Sequence, residues 1–420
     1  MYEVTRLENG LTVLTASMPH MASVSVGVWV GVGGRHEPAR WNGISHFIEH
    51  MLFKGTRRRN AAQISQAVEG IGGYLNAFTD EEHTCFYARA QRQRLPDLLD
   101  VLLDMFLESQ FAPGEIAKER DVIKEEIAMY LDQPAEQVHD LLNALQFPHH
   151  PLGRPVIGTP RTLDLMRRRD FCRYVESRYV TGATVITAAG NVRHRELVRL
   201  VERRARGFRV GERPHYEAAP QRSRGPSLKL THKATEQTHL SLGIRTCSRH
   251  DPRRHALRLV NVILGENMSS RLFQVVREQH GLTYNIHSAV SFWDDCGDLV
   301  VSAGLDTSEV GRTLKLIRRE LDRLAESPPS RAEFARARDY LLGQHALQLE
   351  SAENHMMLLG EYWLGYGRVP SPREFGRRMA ALKAADVCAS AKEFFRPENF
   401  SLAVVSPRKR MDDLAALLTN

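Results

Sequence analysis

A five-residue pattern near the start of the chain limits what this sequence can fold into more than any other feature. His46, Glu49 and His50 form a His-x-x-Glu-His pattern. The apolar residues around it recur at helical spacing: Ile44, Phe47, Ile48, Met51 and Leu52. They predict an amphipathic helix that stops near Gly55. In that helix the two histidines project from the same face, where they can bind one Zn²⁺ beside the carboxylate of Glu49.

A catalytic zinc ion usually has three protein ligands and one open position, so a third ligand is expected from another helix. Residues 118–130 predict such a helix because they contain strong helix formers and apolar residues at helical spacing. Glu119 and Glu126 are two turns apart and lie on one face, whereas Glu125 points elsewhere. From the residues alone, a solvated glutamate face is the ordinary interpretation of this pattern.

With these residues the chain resembles the zinc peptidases of the pitrilysin and insulinase type, the inverzincins, which include the mitochondrial processing peptidases. Glu126 follows His50 by 76 residues, the spacing at which that family has its third ligand. Glu119 matches the acidic residue that supports the site in the family. The resemblance therefore implies that His46, His50 and Glu126 hold one Zn²⁺ per chain and that Glu119 contributes to catalysis.

Three further segments are similar to the family. Residues 72–79 (Gly-Gly-Tyr-Leu-Asn-Ala-Phe-Thr) resemble the strand beside the metal, so Asn76, Ala77 and Phe78 are expected to bind the substrate backbone. Residues 148–155 and 189–192 resemble later landmarks of the family. His149 and His150, in the first of these, are expected in a loop because proline and glycine surround them.

An internal repeat divides the chain into two halves. Residues 35–38 (Arg-His-Glu-Pro) follow an alternating strand pattern, and residues 249–252 (Arg-His-Asp-Pro) follow another one 214 residues later. The same offset aligns the three motif residues with aliphatic ones: Val260, Ile263 and Leu264. The second copy keeps the helical pattern but cannot bind zinc there. Only the first half is therefore expected to be catalytic.

A chain of 420 residues exceeds what one hydrophobic core usually organises, so two domains are expected. Residues 1–216 form the predicted catalytic, zinc-binding domain, residues 217–227 a polar linker with two prolines, and residues 228–420 the homologous domain without metal. Strand patterns precede helical stretches in each half, as at 95–106, 160–175 and 310–324. The predicted fold class is α+β, with two homologous sandwiches of sheet and helices. The resemblance implies that they form half of a clamshell.

The second half carries Arg277 and Tyr284, seven residues apart. From the residues alone, a surface arginine and a half-buried tyrosine are the commoner interpretation. The resemblance implies instead that both side chains bind substrate and assist catalysis. Arginine can donate to peptide carbonyls or to a developing oxyanion, and tyrosine adds a hydroxyl group.

The function implied by the resemblance is that of a zinc metalloendopeptidase that hydrolyses peptides or unfolded segments inside an enclosed chamber. Glu49 is the expected general base. A homodimer is expected, and a heterodimer with a related subunit is the other possibility. The alternative function is a non-catalytic subunit that binds peptides or assembles into a complex similar to the processing peptidases. Such relatives typically lose metal-site residues, whereas this chain retains all four.

The remaining composition bears on partners and location. A net charge of +7 suits nucleic-acid binding, but the basic residues are spread over the chain without a recognisable nucleic-acid-binding motif, so no nucleic-acid partner is expected. Five widely spaced cysteines argue against a disulfide framework and favour a reducing compartment. Neither a signal peptide nor a membrane-spanning run is recognisable. A cytoplasmic protein without a membrane partner is therefore expected.

Overall fold

The structure is a computed structural model that describes residues 2–220, 225–411 and 414–419. Within these residues the chain forms two β-sheets with helices packed against them, which confirms the predicted α+β class. The eleven strands in the described part of the chain are β1 (Tyr2–Arg6), β2 (Thr12–Ser17), β3 (Ser23–Val30), β4 (Tyr74–Thr79), β5 (Thr84–Gln91), β6 (Thr184–Gly190), β7 (Ser227–His232), β8 (Thr238–Thr246), β9 (Thr283–Phe292), β10 (Gly297–Leu305) and β11 (Phe400–Ser406).

Fifteen α-helices lie among the described residues. They are α1 (Ile44–Leu52), α2 (Ala61–Glu69), α3 (Leu95–Glu108), α4 (Pro113–Asp132), α5 (Pro134–Gln146), α6 (Pro160–Leu165), α7 (Arg168–Arg178), α8 (His194–Glu202), α9 (Arg254–Asn261), α10 (Val310–Glu326), α11 (Arg331–Gln348), α12 (Ala352–Tyr366), α13 (Pro372–Ala381), α14 (Ala384–Phe394) and α15 (Ala416–Thr419). Two π-helical turns, Val262–Glu266 and Phe273–Gln279, follow α9.

The chain forms two compact units, and neither is continuous in sequence. The first comprises the described residues of Met1–Ile127, Arg154–Glu217 and Ala346–Ser371, and the second those of Ala128–Gly153, Ala218–His345 and Pro372–Asn420. Helix α5 therefore belongs to the second unit and α12 to the first. The predicted linker, 217–227, includes residues 221–224, which lie outside the described residues.

The first unit contains a six-stranded sheet in the order β1-β2-β6-β3-β5-β4. Successive side chains of its central strand β3 enter two different cores, because strand side chains alternate between faces. Val28 packs in the core that also holds residues of α1, α3 and α4, whereas Trp29 packs in a second core with Met356 and Leu359 of α12. Both faces of this sheet are thus covered.

The second unit is built in the same way around a five-stranded sheet in the order β7-β11-β8-β10-β9. One face packs against α9, α10 and α14, and the other packs against α5, with Val138 and Leu142 beside Ala403 and Val405 of β11. The residues aligned with the motif by the repeat, Val260, Ile263 and Leu264, are buried in the larger of these cores. In this copy the motif positions serve packing.

One predicted helix is wrong in extent. The stretch 160–175 forms two helices, α6 and α7, separated by Met166, which is extended and completely buried. A new helix begins beyond it because the Asp170 carboxylate accepts a hydrogen bond from the backbone N–H of Arg167 at 2.9 Å. Periodicity alone did not reveal this capping interaction.

None of the helices in the described residues combines the length and the apolar composition that a membrane crossing requires.

The contact between α12 and β3 gives a test of the packing. A methyl group at Gly360 would lie 2.2 Å from the Trp29 ring, and that ring is held by a hydrogen bond from its Nε1 to Thr187 Oγ1. We expect Gly360→Ala to lower the free energy of unfolding by about 1–3 kcal/mol, a typical overpacking cost. Gly343→Ala in α11 is the matched control, since nothing beyond the neighbouring backbone of its own helix lies within 4 Å of its added methyl group. Urea unfolding measures both, and equal midpoints for the two variants would contradict this packing.

Candidate metal centre

Helix α1 has one buried face and one polar face. Its five apolar residues are all buried in the first core, which leaves His46, Glu49 and His50 on the opposite side. Gly43 is the N-cap residue just before the helix, and its φ of +93° is costly for any residue with a side chain. A β carbon at this position would also lie 2.7 Å from the backbone of Gly158. The sequence therefore requires glycine here to start the helix.

The structure brings the three predicted zinc ligands together from two helices. The Oε2 atom of Glu126, on α4, lies 4.0 Å from His46 Nε2 and 3.6 Å from His50 Nε2. Within the described residues, this is the only group of three potential ligands whose donor atoms all lie within 4.8 Å of one another. Tetrahedral zinc with bonds of about 2.0–2.1 Å places its ligands about 3.3 Å apart, so small side-chain shifts suffice. Two imidazoles and one carboxylate fit Zn²⁺ and leave a fourth position open.

Burial sets the protonation of these ligands. It lowers the pKa of His46 to about 4, with the neighbouring His50 acting in the same direction. The His46 ring is thus neutral at pH 7, and neutral imidazole is the form that binds a metal. Burial raises the pKa of Glu126, and this effect is opposed by the nearby His50.

Glu119 is buried seven residues before Glu126 and contacts the predicted ligand His50 directly. His50 Nδ1 lies 3.2 Å from Glu119 Oε2, and Lys54 Nζ lies 2.8 Å from Glu119 Oε1. An ionised carboxylate only accepts hydrogen bonds, so His50 donates through Nδ1 and presents the lone pair of Nε2 toward Glu126. Glu119, predicted to take part in catalysis, thus contacts the ring of the predicted ligand His50 and is paired with Lys54.

Glu49 lies beside the predicted ligands, with electrostatic interactions to His50 and Glu126. Thr79 Oγ1, at the end of β4, donates a hydrogen bond of 2.6 Å to Glu49 Oε2. Burial raises the pKa of Glu49, and the bond from Thr79 opposes this rise. A raised pKa makes the Glu49 carboxylate a stronger base than an ordinary glutamate.

Strand β4 carries the three predicted substrate-binding residues and lies at the edge of the sheet, paired with β5. The Ala77 N–H donates a hydrogen bond of 2.9 Å to the side-chain oxygen of its neighbour Asn76. The ring of Phe78 packs edge-to-face on Trp29 with centroids 5.5 Å apart. Phe78 therefore helps to fix the strand, while Asn76 and Ala77 offer polar groups.

Arg277 and Tyr284 belong to the second unit. The Arg277 guanidinium lies over the rings of Phe273 and Tyr284, 4.6 and 4.8 Å from their centroids. Tyr284 is 81% exposed. It is therefore not the half-buried tyrosine that the residues alone favoured. His149 and His150 lie in a turn, as expected of a loop.

Two residues of the site were missed by the sequence analysis. Lys54 follows His50 by four residues, so the helical spacing that paired His46 with His50 could have indicated it. Thr79 ends the segment that resembles the family's substrate strand, but no sequence signal indicated its contact with Glu49.

The sequence profile of the insulinase family, peptidase family M16, matches residues 12–160, and that of the M16 inactive domain matches residues 166–341. An uncharacterized zinc protease of Mycobacterium bovis is 39% identical over 410 residues, covering 96% of this chain and 92% of the relative. The chain belongs to the insulinase family. An uncharacterized zinc protease of Bacillus subtilis is 36% identical over 411 residues, covering 96% of this chain and 98% of the relative.

Solved structures agree on the fold. A protease from Helicobacter pylori superposes with a TM-score of 0.92 at 20% identity, covering 97% of this chain and 99% of that one. An M16 inactive-domain protein from Pseudomonas fluorescens gives 0.91 at 17% identity, covering 98% and 99%. The two-domain M16 fold is therefore shared across low sequence identity.

The metal centre is tested by removing one ligand. We expect Glu126→Gln to lose most bound zinc, because an amide oxygen without charge is a much weaker zinc ligand than a carboxylate. Glu125→Gln is the matched control, since it changes the adjacent, exposed glutamate of the same helix. Atomic absorption after dialysis measures zinc per chain. Equal zinc contents in the two variants would exclude Glu126 as a ligand.

Proposed function

We propose that the protein is a zinc-dependent endopeptidase that hydrolyses peptides or unfolded polypeptide segments within an enclosed chamber. One zinc ion per chain would be held by His46, His50 and Glu126. The observation that carries this proposal is the convergence of these three side chains from α1 and α4, with the Glu49 carboxylate beside them. The relatives named as zinc proteases support both the metal and the reaction class.

A bound zinc ion supplies a Lewis acid that activates water and polarises a carbonyl group. Glu49 accepts a proton from the attacking water, whose oxygen bonds to the scissile carbonyl carbon. As the carbon–nitrogen bond breaks, Glu49 returns the proton to the leaving amine. Thr79 holds the carboxylate of Glu49 in place through its hydrogen bond of 2.6 Å. Glu119, anchored by Lys54, keeps the His50 ring in the orientation that leaves Nε2 free.

Strand β4 is the proposed platform for substrate, which would add to its open edge as a further strand. Backbone hydrogen bonds would then supply affinity that depends little on the substrate's sequence. The Ala77 N–H is satisfied by the side chain of Asn76 one residue away. A peptide carbonyl would replace that contact.

Arg277 and Tyr284 are proposed to bind substrate and to stabilise the negative charge that develops on the carbonyl oxygen. Stacking against two aromatic rings limits the rotamers of the Arg277 guanidinium, so little entropy is lost when it binds a carbonyl oxygen. The exposed hydroxyl of Tyr284 adds a second donor.

We also propose a homodimer located in the cytoplasm. The five cysteines, all free thiols, suit a reducing compartment. The resemblance of the sequence to compact family members, which commonly pair, supports the homodimer. Sedimentation equilibrium measures the mass in solution, and the mass of a single chain would reject the dimer.

Glu49→Gln tests the reaction. We expect turnover to fall by at least ~10²-fold, the usual contribution of a general base, while zinc stays bound. A quenched-fluorescent peptide, with and without a chelator, measures hydrolysis, and Glu125→Gln is the control. Turnover at the level of the unmodified protein would reject Glu49 as the base. A zinc-loaded protein that binds peptide without cleaving it would favour the non-catalytic alternative.

Arg277→Ala tests the contribution of the second unit. We expect kcat/KM for the same peptide to fall at least about tenfold, because a donor to the developing charge is lost. Zinc content should not change. Arg312→Ala, which removes an exposed arginine of α10, is the matched control. Equal effects of the two substitutions would assign Arg277 to the ordinary protein surface.

A further inference from the structure

The start of α1 is held by a side chain that lies outside the motif. Gly43, the residue at the helix N-terminus, has no side chain to accept hydrogen bonds from the first-turn N–H groups. Glu37 supplies the acceptors instead. Its Oε2 accepts from the Gly43 N–H at 2.7 Å, and its Oε1 accepts from the Ser45 N–H at 2.8 Å. The Asn42 side chain donates a third, longer bond of 3.3 Å.

We propose that Glu37 is a positioning residue for the metal centre, which fixes the first turn of α1 and thereby the direction in which His46 meets the ion. The inference rests on the proposed metal site. Ser45, whose N–H bonds Glu37, directly precedes His46, and the whole helix has nine residues. A rotation of its first turn would therefore move a ligand directly.

The Glu37 carboxylate is in turn held by its surroundings. Glu37 is only 3% exposed, and its own carbonyl oxygen accepts a bond of 3.1 Å from Arg154 Nη1. Asn42 also bonds the carbonyl oxygen of Pro155 at 2.9 Å. Tyr174 and the Ser45 hydroxyl lie within 3.1 Å of each other. Hydrogen bonds thus connect the first turn of α1 and the residues just before it to Arg154 and Pro155 and to Tyr174 of α7.

Two opposing effects act on the negative charge of Glu37. A negative charge at a helix N-terminus is stabilised by the helix dipole and by the two N–H groups. Burial opposes ionisation and raises the pKa of Glu37 to about 7, and the hydrogen bonds from the Ser45 and Gly43 backbone N–H groups oppose this rise. The two backbone contacts therefore offset part of the cost of burying the ionised carboxylate.

The internal repeat offers a comparison in the same molecule. Asp251 occupies the position of Glu37 in the second copy and accepts a bond of 2.8 Å from the backbone N–H of Arg253, just before α9. There the acid also stabilises a helix start, but the helix carries no metal ligand. In the first copy the helix starts later, and the longer glutamate spans the gap to Gly43 and Ser45.

Glu37→Gln tests the proposal, because an amide keeps the size but replaces one acceptor oxygen with a donor that cannot bond a backbone N–H. We expect the zinc dissociation constant, measured by competition with a chromophoric chelator, to rise about five- to tenfold. The visible absorption of the cobalt-substituted protein should change as well, because it reports ligand geometry. Asp251→Asn is the matched control and should lower the unfolding temperature without changing either metal readout.

The outcomes separate this inference from the proposed function, because no peptide is used. Unchanged zinc affinity and cobalt absorption in Glu37→Gln, or equal changes in Asp251→Asn, would overturn the positioning role while the metal site stands. If Glu37→Gln does not fold, Glu37→Asp decides, since it keeps the charge but cannot reach both N–H groups. Failure of both variants to fold would assign Glu37 to folding alone. Absence of zinc binding in the unmodified protein would remove the metal site itself.

Discussion

A helix of nine residues is unstable in water, because ordering its first turn costs more than the few hydrogen bonds return. Helix α1 exists because its apolar face is buried in the first core and its N-terminal N–H groups are bonded to Glu37. The same constraint determines where its polar face points. Because the apolar side of α1 packs in the core, His46, Glu49 and His50 lie on its other side. Glu126 of α4 lies close to the two histidines there.

The charged groups around this centre leave room for one cation. Lys54 forms an ion pair with Glu119, the carboxylate that contacts His50. This pair therefore adds no net charge to the site. Burial favours the neutral forms of His46 and Glu126, as their pKa shifts indicate. A divalent ion offsets the cost of an ionised buried carboxylate, so metal binding and deprotonation of Glu126 favour each other.

The sequence was sufficient where the signal was local. The amphipathic pattern predicted α1, and helix-forming residues at helical spacing predicted a helix that the structure extends to Pro113–Asp132. Local patterns also indicated β3 and β8. They did not show that the Asp170 carboxylate starts a new helix after Met166. A capping contact depends on backbone geometry that hydrophobic periodicity does not contain.

Long-range packing was beyond the sequence for a different reason. Gly27 and Trp29 occupy the face of β3 that an alternating pattern leaves for solvent, yet α12 covers them from more than 300 residues later. No pattern in the sequence of β3 or of α12 indicates that the two elements pack together. The same holds for α5 on the second sheet. Glu37 and Thr79 were likewise missed, because each acts on α1 from a neighbouring element.

Helix α5 packs in the second unit and α12 in the first, although each is encoded with the other half of the sequence. This arrangement affects folding during synthesis on the ribosome. The six strands of the first sheet are complete when Gly190 emerges, but the helix that covers the Trp29 face begins only at Ala352. For the synthesis of roughly 160 intervening residues, that apolar face has no cover from its own helix. Neither half of the sequence contains every helix of one unit, so the Trp29 face can be covered by α12 only after residues 352–366 have been synthesised.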